Sequence, residues 1–291
     1  MIFYFSATGN DKYAAEKIAA ATGDTLVSIG TAIRSGALFF QIRDGENLGL
    51  VIPTYFGGFP LIVKAFFEQA EIVIEGAHHY GFAVVTYGME TGNIGGEAKA
   101  LLNRLKLSRQ GIFSVKMVDN WIPCFDMNNK AYIAEAEQTG EAELSAVLPK
   151  IAMRTEGCFV KRGTPKILQK LSDAYYHSAC ATKRFRLSDQ CVGCGLCERQ
   201  CPTAAIQLRD GKPVWVKKRC TLCLGCVHRC QKTRSATQRK RPITGGTGIR
   251  IRSRRYHKAQ KRFAAQDTKR LREGRARKWL GTSVPSRLFF V

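Results

Sequence analysis

The chain has 291 residues, 11 cysteines and a formal net charge of +23. This length exceeds one average domain and allows a buried core in each of two domains. The sequence has no stretch that approaches the roughly 18–20 apolar residues of a membrane span, nor the basic and apolar regions of a secretion signal at its start. We therefore expect a cytoplasmic protein with no membrane partner.

The positive charge is concentrated near the C-terminus. Residues 231–291 hold 19 of the 46 Lys and Arg residues but only two of the 23 acidic residues. This segment lacks apolar periodicity, so we expect residues 243–291 to form a poorly ordered basic tail.

The first half of the chain alternates short apolar runs with helical patterns. Strands are predicted at residues 2–5, 25–29, 48–52, 82–86 and 112–118. Helices are predicted at residues 12–21, 61–70, 97–105 and 130–154. Such alternation is typical of an α/β domain with a doubly wound parallel sheet that helices cover on both sides.

Eight of the 11 cysteines lie between Cys191 and Cys230, in two copies of one spacing. Each copy reads Cys-x2-Cys-x2-Cys-x3-Cys. Clusters of this kind in a chain without an export signal indicate metal ligation, and thiolates in this spacing suit [4Fe–4S] clusters. The fourth cysteine of each run ordinarily ligates the other cluster. The predicted ligand sets are Cys191, Cys194, Cys197 and Cys230 for one cluster, and Cys201, Cys220, Cys223 and Cys226 for the other.

Structural zinc is the alternative for these cysteines, because zinc also binds four-cysteine sets that contain Cys-x2-Cys pairs. A zinc ribbon uses two separated pairs, whereas this chain has a triplet followed by a fourth cysteine, and then repeats that pattern. The duplication therefore favours two iron–sulfur clusters over zinc.

Three loops in the first half follow predicted strands. The first contains Ser6, Thr8, Gly9 and Asn10 and opens the first helix, where hydroxyls and orphan amides can bind a phosphate. The other two are rich in glycine and aromatic residues and lie at the carboxyl ends of strands, where open α/β sheets bind ligands. Their candidate cofactor-binding residues are Thr54, Tyr55, Phe56, Gly57, Thr86, Tyr87 and Gly88.

These three loops resemble those of short-chain flavodoxins. Together with the duplicated cysteine runs, the chain resembles flavodoxin–ferredoxin fusion proteins over about residues 1–242. The resemblance implies a flavodoxin-like FMN domain at residues 1–155, a helical linker at 156–186, and a small α+β ferredoxin domain with two [4Fe–4S] clusters at 187–242. It also implies that the first loop binds the FMN phosphate while the other two bracket the flavin ring.

One residue departs from the family pattern. Asp11 stands where related loops place Ser or Thr. A carboxylate at this position repels the phosphate unless it turns away, so the resemblance implies a reduced flavin affinity.

The expected function is electron transfer between the two clusters and FMN, in a redox carrier or module that serves redox partner proteins. The sequence shows no catalytic triad or paired-carboxylate site, so we predict no catalytic residues. The alternative is a flavin-dependent oxidoreductase that reduces a small acceptor with electrons that enter through the clusters.

The basic tail suggests a hypothesis about the gene. After Cys230 the family continues with Pro and an Ala-Ile segment, whereas this chain continues with Gln231 and a run of basic residues. One added base after the Cys230 codon permits a reading of Cys-Pro-Lys-Asn-Ala-Ile, which is the expected ending. We hypothesise that a one-base deletion, in the gene or in its sequencing, put the chain out of frame after Cys230. The alternative is that the tail is a nucleic-acid-binding arm. Because we favour the frameshift, we do not expect nucleic acid to be a partner.

Overall fold

The structure, a computed structural model, describes residues 1–161, 163, 166–231 and 249–251. The strands in this part of the chain are β1 (Ile2–Tyr4), β2 (Leu26–Ser28), β3 (Phe39–Ile42), β4 (Asn47–Pro53), β5 (Glu71–Ile74), β6 (Tyr80–Tyr87), β7 (Arg109–Lys116), β8 (Gly157–Phe159), β9 (Phe185–Leu187), β10 (Ile206–Arg209), β11 (Lys212–Trp215) and β12 (Ile249–Ile251). The α-helices are α1 (Asn10–Thr22), α2 (Ile29–Ser35), α3 (Leu61–Gln69), α4 (Ile94–Arg104), α5 (Lys130–Ala152), α6 (Lys166–Ala179), α7 (Leu196–Arg199) and α8 (Gly225–His228).

The central sheet is parallel and has the order β2-β1-β4-β6-β7-β8. With its strands renumbered along the chain, this is the flavodoxin-like order 2-1-3-4-5, extended by a sixth strand. The order reverses between β1 and β4, and ligands of open α/β sheets bind outside the carboxyl ends of the strands at such a point. The predicted fold class of the first domain is therefore confirmed.

The core lies on both faces of this sheet. On one face Val51, Phe82 and Phe113 pack against apolar residues of α1 and α5. On the other face Leu50 and Val85 pack against α2, α3 and α4. Burial on both faces explains why β4 and β6 are nearly continuous apolar runs, without the alternation of a half-exposed strand.

The predicted strands and helices of the first domain all occur, with ends that shift by a few residues. The sequence patterns missed α2 and the short strands β3, β5 and β8. Strands β3 and β5 pair with each other outside the main sheet. They are four residues long and partly exposed, so they carry too little apolar pattern to be recognised.

The cysteine-rich part is built from short elements. Strands β10 and β11 form an antiparallel hairpin whose turn, Asp210-Gly211, has both residues at positive φ. Strand β11 ends five residues before Cys220, the first cysteine of the second run. Strand β9 pairs antiparallel with β12, which lies within the predicted tail. The rest of the predicted tail lies outside the described residues.

Within the described ranges, no helix is both long enough and apolar enough to cross a membrane.

Candidate functional site

The structure gathers the eight cysteines of the two runs into two pockets. The first cysteine pocket is lined by Cys191, Cys194, Cys197 and Cys230. The second cysteine pocket is lined by Cys201, Cys220, Cys223 and Cys226. Each pocket thus combines three cysteines of one run with the fourth cysteine of the other, which is the same grouping as in the predicted ligand sets.

Local backbone geometry turns each cysteine triplet around its pocket. Gly195 and Leu224 occupy equivalent positions of the two runs, and both adopt the left-handed conformation immediately before α7 and α8. Glycine adopts this conformation readily, whereas for leucine it is uncommon. Gly193 also has positive φ, and a Cβ atom there would lie 2.3 Å from the Gly211 carbonyl oxygen. The first triplet therefore packs tightly against the β10–β11 turn.

The second pocket has the donor chemistry that a cluster requires. The backbone N–H groups of Ala205 and Leu222 donate to the sulfur atoms of Cys201 and Cys220, each at 3.3 Å. Burial raises the pKa of both Cys220 and Cys223 to about 12. Such thiols become thiolates only when a cation binds them, as iron does. Four soft sulfur donors with N–H···S hydrogen bonds fit a [4Fe–4S] cluster.

The loop between β1 and α1, here called the phosphate loop (residues 5–10), leaves the start of α1 open. Gly9 has a φ of 128°, and no side chain caps the helix. A Cβ atom on Gly9 would meet no protein atom within 4 Å. The Gly9 N–H donates to Ser6 Oγ at 3.1 Å, and Asn10 Nδ2 donates to the Val118 carbonyl oxygen at 3.0 Å. Open space beside uncapped amides at the N-terminus of a helix fits a phosphate group.

The second predicted loop follows β4 and turns sharply. The backbone groups of Tyr55 and Gly58 exchange hydrogen bonds of 2.9 and 3.0 Å, while Phe56 and Gly57 between them have positive φ. The Thr54 hydroxyl is buried and finds no hydrogen-bond partner among the described residues. An orphaned buried hydroxyl at the carboxyl end of β4 fits a polar ligand at the switch point of the sheet.

The aromatic residues of this second loop contact protein side chains. The Phe56 ring stacks on Tyr176 with a centroid distance of 4.9 Å and meets Trp121 edge-on at 5.6 Å. Tyr55 lies edge-on to Phe5 and to Tyr176, at 6.3 Å from each. Phe56 thus faces α6 and the cysteine-rich part, and its contact with a flavin ring stays a prediction.

The third predicted loop follows β6 and packs against its neighbours through glycines. A Cβ atom on Gly88 would lie 2.3 Å from the Asp119 side chain, and one on Gly92 would lie 2.1 Å from Gly57 Cα. Tyr87 is buried, with the Lys161 ammonium 5.8 Å from the centre of its ring. The second and third loops are therefore in backbone contact, and they form one edge of the candidate flavin site.

Asp11 turns away from the open end of α1. Its carboxyl group is buried and accepts a hydrogen bond of 2.6 Å from Thr86 Oγ1. Burial raises the pKa of Asp11 to about 7, although the hydrogen bond from Thr86 opposes the shift. Thr86, predicted to bind the cofactor, thus bonds to Asp11 in this structure, and the carboxyl is largely neutral below pH 7.

Sequence reasoning missed a fourth loop, which follows β7. Asn120 Nδ2 donates to Thr8 Oγ1 at 2.6 Å, and Trp121 packs against Phe56. Asp119 accepts a hydrogen bond from the Trp121 N–H, and burial raises its pKa. The signal that could have located this loop is its position, since it follows the carboxyl end of a strand in the sheet.

Comparison with known proteins agrees with the assignment of the cysteine-rich part. Residues 190–235 match the family model described as a 4Fe-4S dicluster domain. A curated relative, the ferredoxin-like protein in nif region of Sinorhizobium fredii, is 46% identical over 39 residues. That match covers 13% of this chain and 61% of the relative.

Solved structures that resemble this chain include the following two. Rubredoxin oxygen:oxidoreductase from Desulfovibrio gigas is 17% identical with a TM-score of 0.30, over 52% of this chain and 36% of that one. A putative flavoprotein from Bacteroides uniformis is 18% identical with a TM-score of 0.26, over 41% of this chain and 90% of that one. The flavodoxin-like fold of residues 1–161 rests on the order and direction of its strands.

This chain joins a flavodoxin-like fold to a 4Fe-4S dicluster domain. The resemblance to flavodoxin–ferredoxin fusion proteins is thereby confirmed for both parts. For the cysteine-rich part, the dicluster family model indicates iron–sulfur electron transfer in general.

Proposed function

We propose that this chain transfers electrons between two [4Fe–4S] clusters and one FMN, and that it acts as a redox carrier. The observation that carries the proposal is the pair of four-cysteine pockets, the second of which packs through Cys223 against the core of a flavodoxin-like fold. When bound, the clusters supply one-electron chemistry and FMN supplies one- or two-electron chemistry.

Each cluster would be held by the four cysteines that line its pocket. In the second pocket, the N–H groups that donate to Cys201 and Cys220 would stabilise the negative charge of the cluster and tune its potential. FMN would place its phosphate at the phosphate loop, where Ser6, Thr8 and the first amides of α1 are the donors. The Thr54 hydroxyl would supply a further polar contact.

Redox partner proteins would exchange electrons at the first cysteine pocket. Val192, which lines this pocket, is 58% exposed, and Cys194 is exposed as well. An exposed apolar residue beside a cluster gives a partner protein a short route to the iron. A reducing compartment, such as the cytoplasm, would keep the eight thiols available for cluster assembly.

The experiment that tests this function is anaerobic purification or cluster reconstitution, followed by iron, sulfide, zinc and flavin assays. The proposal predicts about eight iron atoms and about one FMN per chain. Zinc without iron would overturn the cluster assignment, and a chain that holds iron but never binds FMN would overturn the flavin assignment.

A further inference from the structure

A chain of hydrogen bonds joins the phosphate loop to the second cysteine run. Asn120 Nδ2 donates to Thr8 Oγ1 at 2.6 Å. The backbone carbonyl oxygen of the same Asn120 lies 2.9 Å from His228 Nε2. His228 is the last residue of α8 and lies between Cys226 and Cys230. One residue of the flavodoxin-like fold thus contacts both the candidate phosphate site and the dicluster domain.

The His228 ring can serve only as the donor in this contact, because a carbonyl oxygen accepts. The contact with the Asn120 carbonyl oxygen therefore places a proton on His228 Nε2. The contact spans 108 residues of sequence. It is therefore a tertiary link between domains.

The packing around this link is close. A Cβ atom on Gly225, the first residue of α8, would lie 3.1 Å from the Ala7 carbonyl oxygen of the phosphate loop. Cys223 of the second pocket packs against the core of the flavodoxin-like fold. The Tyr176 hydroxyl donates to the Thr221 carbonyl oxygen at 2.8 Å and accepts from the Leu61 N–H at 3.2 Å. The residues that flank the second pocket therefore rest against the loops that would hold FMN.

We propose that His228 and Asn120 are positioning residues for FMN, and that the dicluster domain thereby completes the phosphate site through Thr8. This inference rests on the proposed function. The His228 N–H holds the Asn120 backbone in place, and the Asn120 amide then fixes the Thr8 hydroxyl beside the start of α1. The two sites are consequently coupled: an ordered second cysteine run strengthens FMN binding, and FMN stabilises the second cluster to the same extent.

The test is FMN affinity, measured anaerobically by flavin fluorescence quenching on the full, cluster-loaded chain. His228→Leu and Asn120→Ala should each weaken FMN binding about tenfold, since each removes a partly buried hydrogen bond and leaves a partner unsatisfied. His228→Gln retains a donor and should recover most of the affinity. His78→Leu is the matched control, because the His78 side chain is 84% exposed and lies elsewhere; it should leave affinity unchanged.

The double variant distinguishes a shared link from two separate effects. His228→Leu with Asn120→Ala should weaken binding little more than the stronger single variant does, because both act through Thr8. Additive losses, or wild-type affinity in both single variants, would overturn the inference while FMN binding by the parent chain still supports the proposed function. A parent chain that binds no FMN would overturn both.

A second measurement tests the reciprocal effect without reference to activity. Saturating FMN should slow the loss of iron to a chelator in the parent chain, and this protection should fall in Asn120→Ala. Asn120 is remote in sequence from the cysteine runs, so this variant remains informative if His228→Leu assembles its clusters poorly. Equal protection in both chains would contradict the coupling.

Discussion

At the scale of single residues, Asp11 is a buried ionisable group next to the phosphate loop, and it makes the stability of the fold depend on pH. Its carboxyl is enclosed and bonded to Thr86, and burial raises its pKa to about 7. The folded protein therefore holds a proton that the unfolded chain releases at a pH near 4. Because the folded state binds more protons, stability falls as pH rises between about 4 and 7, and above pH 7 the full penalty remains.

Asp11→Asn should remove this pH dependence. The amide oxygen can still accept from Thr86, and no carboxyl remains to ionise. The expected gain at pH 8 is several kcal/mol at most, since roughly three pKa units correspond to about 4 kcal/mol. Urea unfolding of the flavin-free chain at pH 5 and pH 8 measures it. Asp189→Asn, at an exposed position, is the control; a similar pH dependence in parent and Asp11→Asn chains would contradict the assignment.

The sequence shows that Asp11 directly follows the phosphate loop, but it does not show in which direction the carboxyl group points. The loop pattern that contains Ser6, Thr8 and Gly9 is local, so it indicates the phosphate loop without a structure. The partner of Asp11 is Thr86, which is 75 residues away. The sequence left open whether the carboxylate faces the phosphate or turns inward, because that depends on how the sheet places β6 beside β4, two strands away from β1.

At the scale of elements, two glycines let the second and third loops touch. The missing side chains of Gly57 and Gly92 leave room for backbone contact, and the Asn93 N–H donates to the Gly57 carbonyl oxygen at 2.7 Å. This contact fixes the position of the second loop relative to the start of α4. The shape of the candidate flavin site therefore depends on backbone packing.

Gly92→Ala should distort this contact and weaken both folding and FMN binding. Its Cβ would lie 2.1 Å from Gly57 Cα, so the backbone must move. Gly36→Ala is the matched control, because Gly36 also has positive φ but open space around it. The control should cost about 1 kcal/mol of stability and leave FMN affinity unchanged. Urea unfolding and flavin titration compare the two, and equal effects would refute a role for the loop contact.

The grouping of the cysteines into two pockets predicts how many iron atoms each cysteine variant retains. Cys223→Ala and Cys201→Ala belong to different cysteine runs but should remove the same cluster, so each should lower iron from about eight to about four atoms per chain. Cys158→Ala is the control, because Cys158 is exposed and lies outside both pockets. Iron assay and low-temperature EPR of the reduced proteins check this. Loss of different clusters in the two variants would contradict the crossed ligand sets.

Strong periodic patterns predicted the main strands and most helices of the first domain, but the short elements were not predicted. Strand β8 has three residues, all exposed, and nothing in its sequence separates it from a loop. The cysteine pockets could be predicted because ligand spacing is local and duplicated. The role of Asn120 could not, because its partners Thr8 and His228 lie in distant parts of the chain.

At the scale of the whole molecule, the dicluster domain rests on the loop side of the flavodoxin-like fold. Phe56, Trp121 and Tyr176 pack together where the two parts meet. Tyr55 lies in the same region, and burial raises the pKa of its hydroxyl well above its ordinary value. The two candidate redox sites are thus held side by side by apolar contacts, which no pattern within either half could predict.

The hypothesis about the tail concerns the gene and is tested there. Residues 232–248 and 252–291 lie outside the described structure, so the frameshift remains a prediction from sequence. Sequencing of the source DNA should show one additional base after the Cys230 codon, with an open frame that encodes Cys-Pro and an Ala-Ile segment. A verified frame that runs unchanged to Val291 would refute the hypothesis.

An anaerobic reductive titration of the fully loaded chain tests most directly whether clusters and flavin share electrons. We predict that it takes up about four electrons per chain, one for each cluster and two for FMN, with both cluster and flavin absorbance bleached. Uptake of about two electrons with a change only in the flavin spectrum, or no uptake by a zinc-loaded protein, would contradict the claim that two clusters and one FMN accept electrons in this chain.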